Sequence, residues 1–110
     1  MRWKVQYSVS AREDLRSIFD YIAYELLSPE YAAGQIERIL NAVRALEDMP
    51  MRHPVYNEEP WKTQQVRLLP IDNYIIFYFP KDDSRTVNII RIIYGGRDMK
   101  RQIMETKEEL

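Results

Sequence analysis

Between Asn73 and Phe79 the chain reads NYIIFYF, apolar or aromatic on both parities after its first residue. Successive side chains of a strand point to opposite faces, so a strand of this composition needs cover on both sides and belongs in the middle of a sheet. The cover has to come from a chain of 110 residues. That length suits one domain and buries roughly two-thirds of the unfolded surface.

The upstream half supplies one layer. Arg2 to Val9 alternates, with Trp3, Val5, Tyr7 and Val9 on one parity, the pattern of a half-buried strand. Ser10-Ala-Arg-Glu13 then has the form of a capping box, in which the hydroxyl and the carboxylate each satisfy an amide at a helix start. Leu15, Ile18, Phe19, Ile22 and Leu26 follow at spacings of three and four, predicting a helix to about Leu27 with one apolar stripe. Ser28-Pro29-Glu30 opens a second helix, with Pro where its missing N–H costs nothing and an acid in the first turn. Its stripe of Ile36, Ile39, Leu40, Val43 and Leu46 ends at Met49-Pro50. Two helices joined this closely form an αα-hairpin.

Residues 50–62 hold Pro50, Pro54 and Pro60 and show neither period, so they are expected to form an irregular surface loop. Strands are predicted at Thr63–Leu69, Asn73–Phe79 and Thr86–Tyr94, with short turns at 70–73 and 80–85 that imply antiparallel neighbours. Gly95-Gly96 ends the last strand, and Asp98 to Met104 is expected to form a short terminal helix. The resulting fold class is α+β, a strand-helix-helix-three-strand antiparallel meander with a short C-terminal helix. The helices pack on one face of a four-stranded sheet, and the other face is expected to be the working surface. Residues 1–104 form a single domain and 105–110 a frayed tail.

Composition excludes several functions. Cysteine is absent, so there is no disulfide framework or thiolate metal site, and the chain suits a reducing compartment. The longest strongly apolar run, Tyr74 to Phe79, is far short of the roughly 20 residues of a membrane helix. Met1 to Val5 has no apolar signal-peptide core behind it. The expected location is cytoplasmic. His53 has no second His or Cys nearby, so neither a metal nor another cofactor is expected. No Gly-rich phosphate loop or nucleophile–base pair supports a small-molecule enzyme.

Net charge is −1, unevenly spread. Residues 1–59 carry 7 Lys/Arg against 10 Asp/Glu, whereas residues 60–104 carry 8 against 4. A phosphate-rich partner suits the basic half, and solvated strand faces explain it equally well.

The order EDLRSIFDYIAYELLSPE, a helix ending at Met49-Pro50, VRLLPIDNYIIFYF and VNIIRIIYGGRD resembles toxins of the RelE/ParE superfamily over residues 3 to about 103. The resemblance implies a small toxin neutralised by a cognate antitoxin protein that lies over its working face, with a heterotetramer as one assembly. It also implies one of two targets. RelE-like members cleave messenger RNA on the ribosome, and ParE-like members inhibit DNA gyrase. Fold alone does not choose between them.

RNA cleavage needs a base for the 2′-hydroxyl, cations for the phosphorane and an acid for the leaving oxygen. Arg67, Tyr94 and Arg97 are the candidate catalytic residues, and Arg91, Trp61 and Lys62 the candidate target-binding ones. Arginine offers a fork suited to phosphate. By the resemblance, Tyr94 stands where many relatives have His, and a phenol of pKa about 10 is a poor base near neutrality. Ile75 and Ile103 stand where the nucleases are expected to carry an arginine and a tyrosine.

Alternation places Val66 and Leu68 toward the helices and Arg67 on the open face. Arg91, on an apolar strand, is expected either to pair with Asp98 or Asp72 or to lie exposed. Trp61 either stacks on a base or pins its loop. The leading expectation is ribosome-dependent mRNA cleavage. Gyrase inhibition and a non-toxic, antitoxin-binding co-repressor are the alternatives.

Overall fold

The computed structural model describes residues 2–106. Strand β1 (Lys4–Tyr7) leads into helix α1 (Val9–Asp20), which widens into a π-helical turn at Tyr21–Glu25. Helix α2 (Pro29–Arg44) follows, then two 3-10 turns at Ala45–Glu47 and Pro50–Arg52. Strands β2 (Arg67–Ile71), β3 (Tyr74–Lys81) and β4 (Thr86–Tyr94) and helix α3 (Met99–Met104) complete the α+β fold. The part of the expected tail beyond residue 106 lies outside the described residues.

The sheet order is β1-β4-β3-β2. Strands β2, β3 and β4 form the antiparallel meander, and β1 lies parallel to β4 with Lys4 opposite Thr86 and Tyr7 opposite Ile89. The run that is apolar on both parities therefore sits inside the sheet, as its composition requires. Along β3, Tyr74, Ile76 and Tyr78 join the core beneath the helices, while Ile75, Phe77 and Phe79 join a second core on the far face.

The far face is thus not the open surface expected of it. Tyr56 and Trp61 from the 53–66 segment and Ile103 from α3 cover it, packed on Val66, Phe77, Ile90 and Ile93. The reversal extends to β2. Val66 and Leu68 pack in the far core and Leu69 in the helix-side core, so the faces of Arg67 and its neighbours are opposite to the expected ones. The cause lies in the loop. Residues 61–65 form turns, with Gln65 at φ 63°, and the strand starts at Arg67 instead of Thr63. Trp61 then brings its own apolar surface to the far face, and Val66 and Leu68 are drawn to it.

Two local readings also change. Helix α1 is capped by Ser8, not Ser10: the Ser8 hydroxyl oxygen accepts from the Ala11 amide at 2.9 Å and its O–H donates to the Ile90 carbonyl at 2.7 Å. One side chain both starts the helix and ties it to β4, so the first strand stops at Tyr7 and Val9 is 57% exposed. At the other end Ile18 and Ile22 stay buried, but the widened turn carries Leu26 off the stripe into solvent.

A bulge between Phe77/Tyr78 and Arg91/Ile89 leaves Ile90 as the extra residue of β4. Val87 and Ile89 face the helix-side core, and after the bulge the phase shifts so that Ile92 does. Ile93 therefore belongs to the far core and does not share a face with Val87 and Ile89.

Candidate functional site

The end of β4 and the chain after it gather the polar residues that the apolar cores exclude. Arg91 lies opposite Phe77 in the β3–β4 register, just past the bulge. Its guanidinium meets Asp14 of α1 edge to edge, with Nε donating to Oδ2 at 2.8 Å and Nη2 to Oδ1 at 2.9 Å. Nη1 donates to the Gln102 carbonyl at 3.2 Å and to the Thr106 hydroxyl at 2.9 Å. Asp14 Oδ2 also accepts from the Ile92 amide at 2.8 Å. The two side chains are only 16% and 15% exposed. Arg91 is therefore structurally paired, as one of the two expectations held, but with Asp14 instead of Asp98 or Asp72.

The two rejected partners are occupied elsewhere. Asp72 sits at φ 54° in the β2–β3 turn and accepts from Gln35 and Arg38, each at 2.8 Å. Those hydrogen bonds, from Arg38 first, hold its carboxyl below the usual range. Asp98 pairs with Arg101 at 3.2 Å at the head of α3.

Arg67 is also engaged. Its Nη1 donates to the carbonyls of Met51 at 2.9 Å and His53 at 2.7 Å, which binds the first strand of the meander to the loop that precedes it. Beside it the buried Tyr78 hydroxyl donates to the Pro50 carbonyl at 2.6 Å. Burial pushes that phenol up to about 12 against the opposing pull of Arg67 and Arg52. His53 is pulled below its ordinary value by burial and by the same two arginines, Arg52 first. A neutral imidazole is available here, but it stands on the Arg67 side of the molecule and is not among the residues around Tyr94 and Arg97.

Tyr94 and Arg97 remain exposed. Together with Gly96, Asp98 and Gln102 they border a hollow of about 410 Å³. Arg97 makes no ion pair or side-chain hydrogen bond among the described residues. A Cβ at Gly96 would stand 3.0 Å from two carbons of the Tyr94 ring, so a side chain there would press the exposed ring to shift. Trp61 is 4% exposed and pins its loop to the far core. Its neighbour Lys62 is exposed. Of the six residues read from the sequence, the structure brings together only Tyr94 and Arg97.

Sequence reasoning missed a larger groove on the other side of Tyr94. It has a volume of about 670 Å³ and runs between α1, the π-helical turn, the start of α2 and the ends of β3 and β4. Four tyrosines line it: Tyr21, Tyr31, Tyr74 and Tyr94. Eight tyrosines in the chain were the available signal. Their convergence depends on helix and strand ends that local patterns do not place. In the turn of the hairpin, close in sequence to the lining residues Ile22 and Leu26, Tyr24 is 68% and Leu27 82% exposed.

Among the described residues no group of three His, Cys, Asp or Glu is placed to hold a metal ion. Nor is any helix there long and apolar enough to cross a membrane.

The fold is that of small bacterial toxins. It is similar to a chain of the chromosomal ParDE toxin–antitoxin system from P. aeruginosa, with a TM-score of 0.71 at 21% identity over 86% of this chain and 98% of that one. It is similar to E. coli toxin RelE, as a doubly substituted mutant in the free state, with a TM-score of 0.66 at 11% identity over 96% and 94%. The RelBE2 toxin–antitoxin complex from Mycobacterium tuberculosis contains a third such chain, with a TM-score of 0.56 at 20% identity over 86% and 99%. No curated protein matches the chain in sequence. Residues 5–99 match the family model described as ParE toxin of type II toxin–antitoxin system, parDE, and the chain belongs to that family.

Proposed function

We propose that this toxin arrests growth by binding a protein target, with DNA gyrase as the target the family resemblance supplies, and that a cognate antitoxin protein restrains it. The observation that carries this reading is the engagement of its arginines. Arg91 is bound on both edges by Asp14, Gln102 and Thr106, and Arg67 is bound to two loop carbonyls. Phosphoryl transfer to a 2′-hydroxyl needs a base, an acid and cations converging on one phosphate. Tyr94 and Arg97 share a hollow that contains no histidine, glutamate or lysine, and its one carboxylate, Asp98, is paired with Arg101. The match to the ParE family points the same way.

Ribosome-dependent mRNA cleavage is the second reading. It draws on that same hollow, where the Arg97 fork is free to take a phosphate beside the Tyr94 hydroxyl. Induction of the chain alone separates the two, with plasmid supercoiling and primer extension across translated messages read side by side. Relaxed or cleaved plasmid with intact messages is the expected result. Cuts within translated codons that vanish in Arg97→Ala would replace it with cleavage. Unimpaired growth with retained antitoxin binding would make the chain a co-repressor.

A further inference from the structure

The tyrosine groove has a chemistry that neither reading uses. No lysine or arginine lines it, although the chain carries 16 of them. Its one carboxylate, Asp14, is neutralised by Arg91. What remains is aromatic, aliphatic and neutral polar: Tyr21, Tyr31, Tyr74 and Tyr94, with Ile18, Ile22 and Leu26 and the amides of Gln35 and Asn73.

Ring geometry inside it is defined. Tyr74 and Tyr94 meet edge to face, their centroids 5.8 Å apart. Tyr31 already holds one guanidinium, that of Arg38, at 5.8 Å from its ring centroid. Burial first, and then the neighbouring Tyr94, Tyr31, Tyr21 and Asp72, raise the Tyr74 hydroxyl, so the ring enters the groove as a neutral phenol. Asp20, Glu25 and Glu30, each next in sequence to a lining residue, are exposed and form no ion pair among the described residues. Arg97 lies beyond Tyr94 in the neighbouring hollow, which directs a cation to the Tyr21–Tyr31 end.

Tyrosine faces carry the negative part of the ring quadrupole and attract organic cations within about 6 Å. A groove of about 670 Å³ falls in the usual range for a ligand site. We infer that this groove is a binding site for an organic cation, a guanidinium or alkylammonium group held against the tyrosine rings with its hydrocarbon stem on Ile18, Ile22 and Leu26. A phosphate or nucleic-acid backbone finds no lysine or arginine among the lining residues to hold it. The inference stands whichever target the toxin has. It admits two sources, an arginine or lysine on a partner protein and a free small cation.

The test is a titration of the full isotope-labelled chain with butylguanidinium, with its neutral isostere butylurea as control, followed by amide and ring shifts. Butylguanidinium is expected to perturb Tyr21, Tyr31, Tyr74 and Tyr94 saturably, and butylurea to bind at least fivefold more weakly. Tyr21 and Tyr31 are 56% and 58% exposed, so replacing them spares the core. Tyr31→Phe keeps the ring and the affinity within about twofold, whereas Tyr31→Leu lowers it about fivefold. A ten-residue apolar peptide with one central arginine, against the same peptide with norleucine, identifies the source. More than tenfold gain over the free cation assigns a protein side chain, and parity assigns a small cation; either upholds the site. Equal binding of butylurea overturns the inference, as does no binding by any probe. So does affinity that survives Tyr31→Leu and Tyr21→Leu but vanishes in Glu30→Gln, which would reduce the effect to surface charge.

Discussion

Arg91 and Asp14 are 77 residues apart in sequence and form a two-point ion pair, 2.8 and 2.9 Å long, that fastens α1 to the end of β4. The pair also anchors the segment after α3, because the remaining Arg91 nitrogen donates to Gln102 and Thr106. Removing one member leaves the other charge buried and uncompensated, at a cost of about 3–5 kcal/mol. Asp14→Ala is therefore expected to lower Tm by roughly 10 °C or more. The pair is also a test of mechanism. Asp14→Leu with Arg91→Met should recover a large part of the loss in a double-mutant cycle. Recovery of growth inhibition along with stability would show that Arg91 serves the fold; stability without activity would return it to the working site.

Arg67 is predicted to act through the loop. Its substitution by Ala frees two carbonyls, those of Met51 and His53, at about 1–3 kcal/mol. The urea midpoint should fall and limited proteolysis should open cleavage within residues 50–65. A loss of activity in Arg67→Ala that tracks this loosening is structural. An unchanged midpoint with lost activity would instead mark Arg67 as a target contact.

Tyr78 sets an alkaline limit. Its phenol is pushed up to about 12 from 10, so between those values the unfolded chain releases a proton that the folded chain retains. The stabilisation is complete below pH 10 and is lost as pH rises through the folded value of about 12, by roughly 2 kcal/mol. Tyr78→Phe should flatten that decline while costing about 1 kcal/mol at neutral pH through the lost bond to Pro50. Chemical denaturation at a series of pH values measures both. An equal slope in Tyr78→Phe would assign the decline to other groups.

His53 gives the complementary acid limb. Burial and the charges of Arg52 and Arg67 favour its neutral form in the folded state. Its contribution is present above the unfolded value near 6.5 and is lost as pH falls through the lower folded value. Arg52→Gln should raise the midpoint of the His53 ring resonances, and an unmoved midpoint would assign the shift to burial and Arg67.

The legible part of this molecule was what local pattern controls. The two-sided run at 73–79, the limits of β4 at Thr86 and Tyr94 and the Pro29 helix start all follow from side-chain period and backbone chemistry. What was not legible depends on contacts between distant segments. Ser8 displaced Ser10 as the cap, and its hydroxyl also reaches Ile90 across 82 residues. Arg91 chose Asp14 over nearer acids because the bulge at Ile90 changes the phase of β4, and a bulge leaves no local mark in an all-apolar strand. Arg67 lies in a strand of the expected alternation, but alternation does not say which core each face meets.

Tyr94 separates contact from chemistry. It is 57% exposed, so changes to its side chain leave the cores intact. Its ring packs edge to face on Tyr74, and its hydroxyl is the group that cleavage would use. Tyr94→Phe keeps the ring and deletes the hydroxyl; Tyr94→Ala deletes both. If the chain acts by docking on a protein, Tyr94→Phe should arrest growth as the parent does and Tyr94→Ala should weaken it, since an interfacial aromatic contributes roughly 1–2 kcal/mol through area. If the hydroxyl moves a proton, Tyr94→Phe should be nearly as damaged as Tyr94→Ala, by about a hundredfold or more. Thermal unfolding of each variant, expected within about 1 kcal/mol of the parent, keeps the comparison free of folding effects.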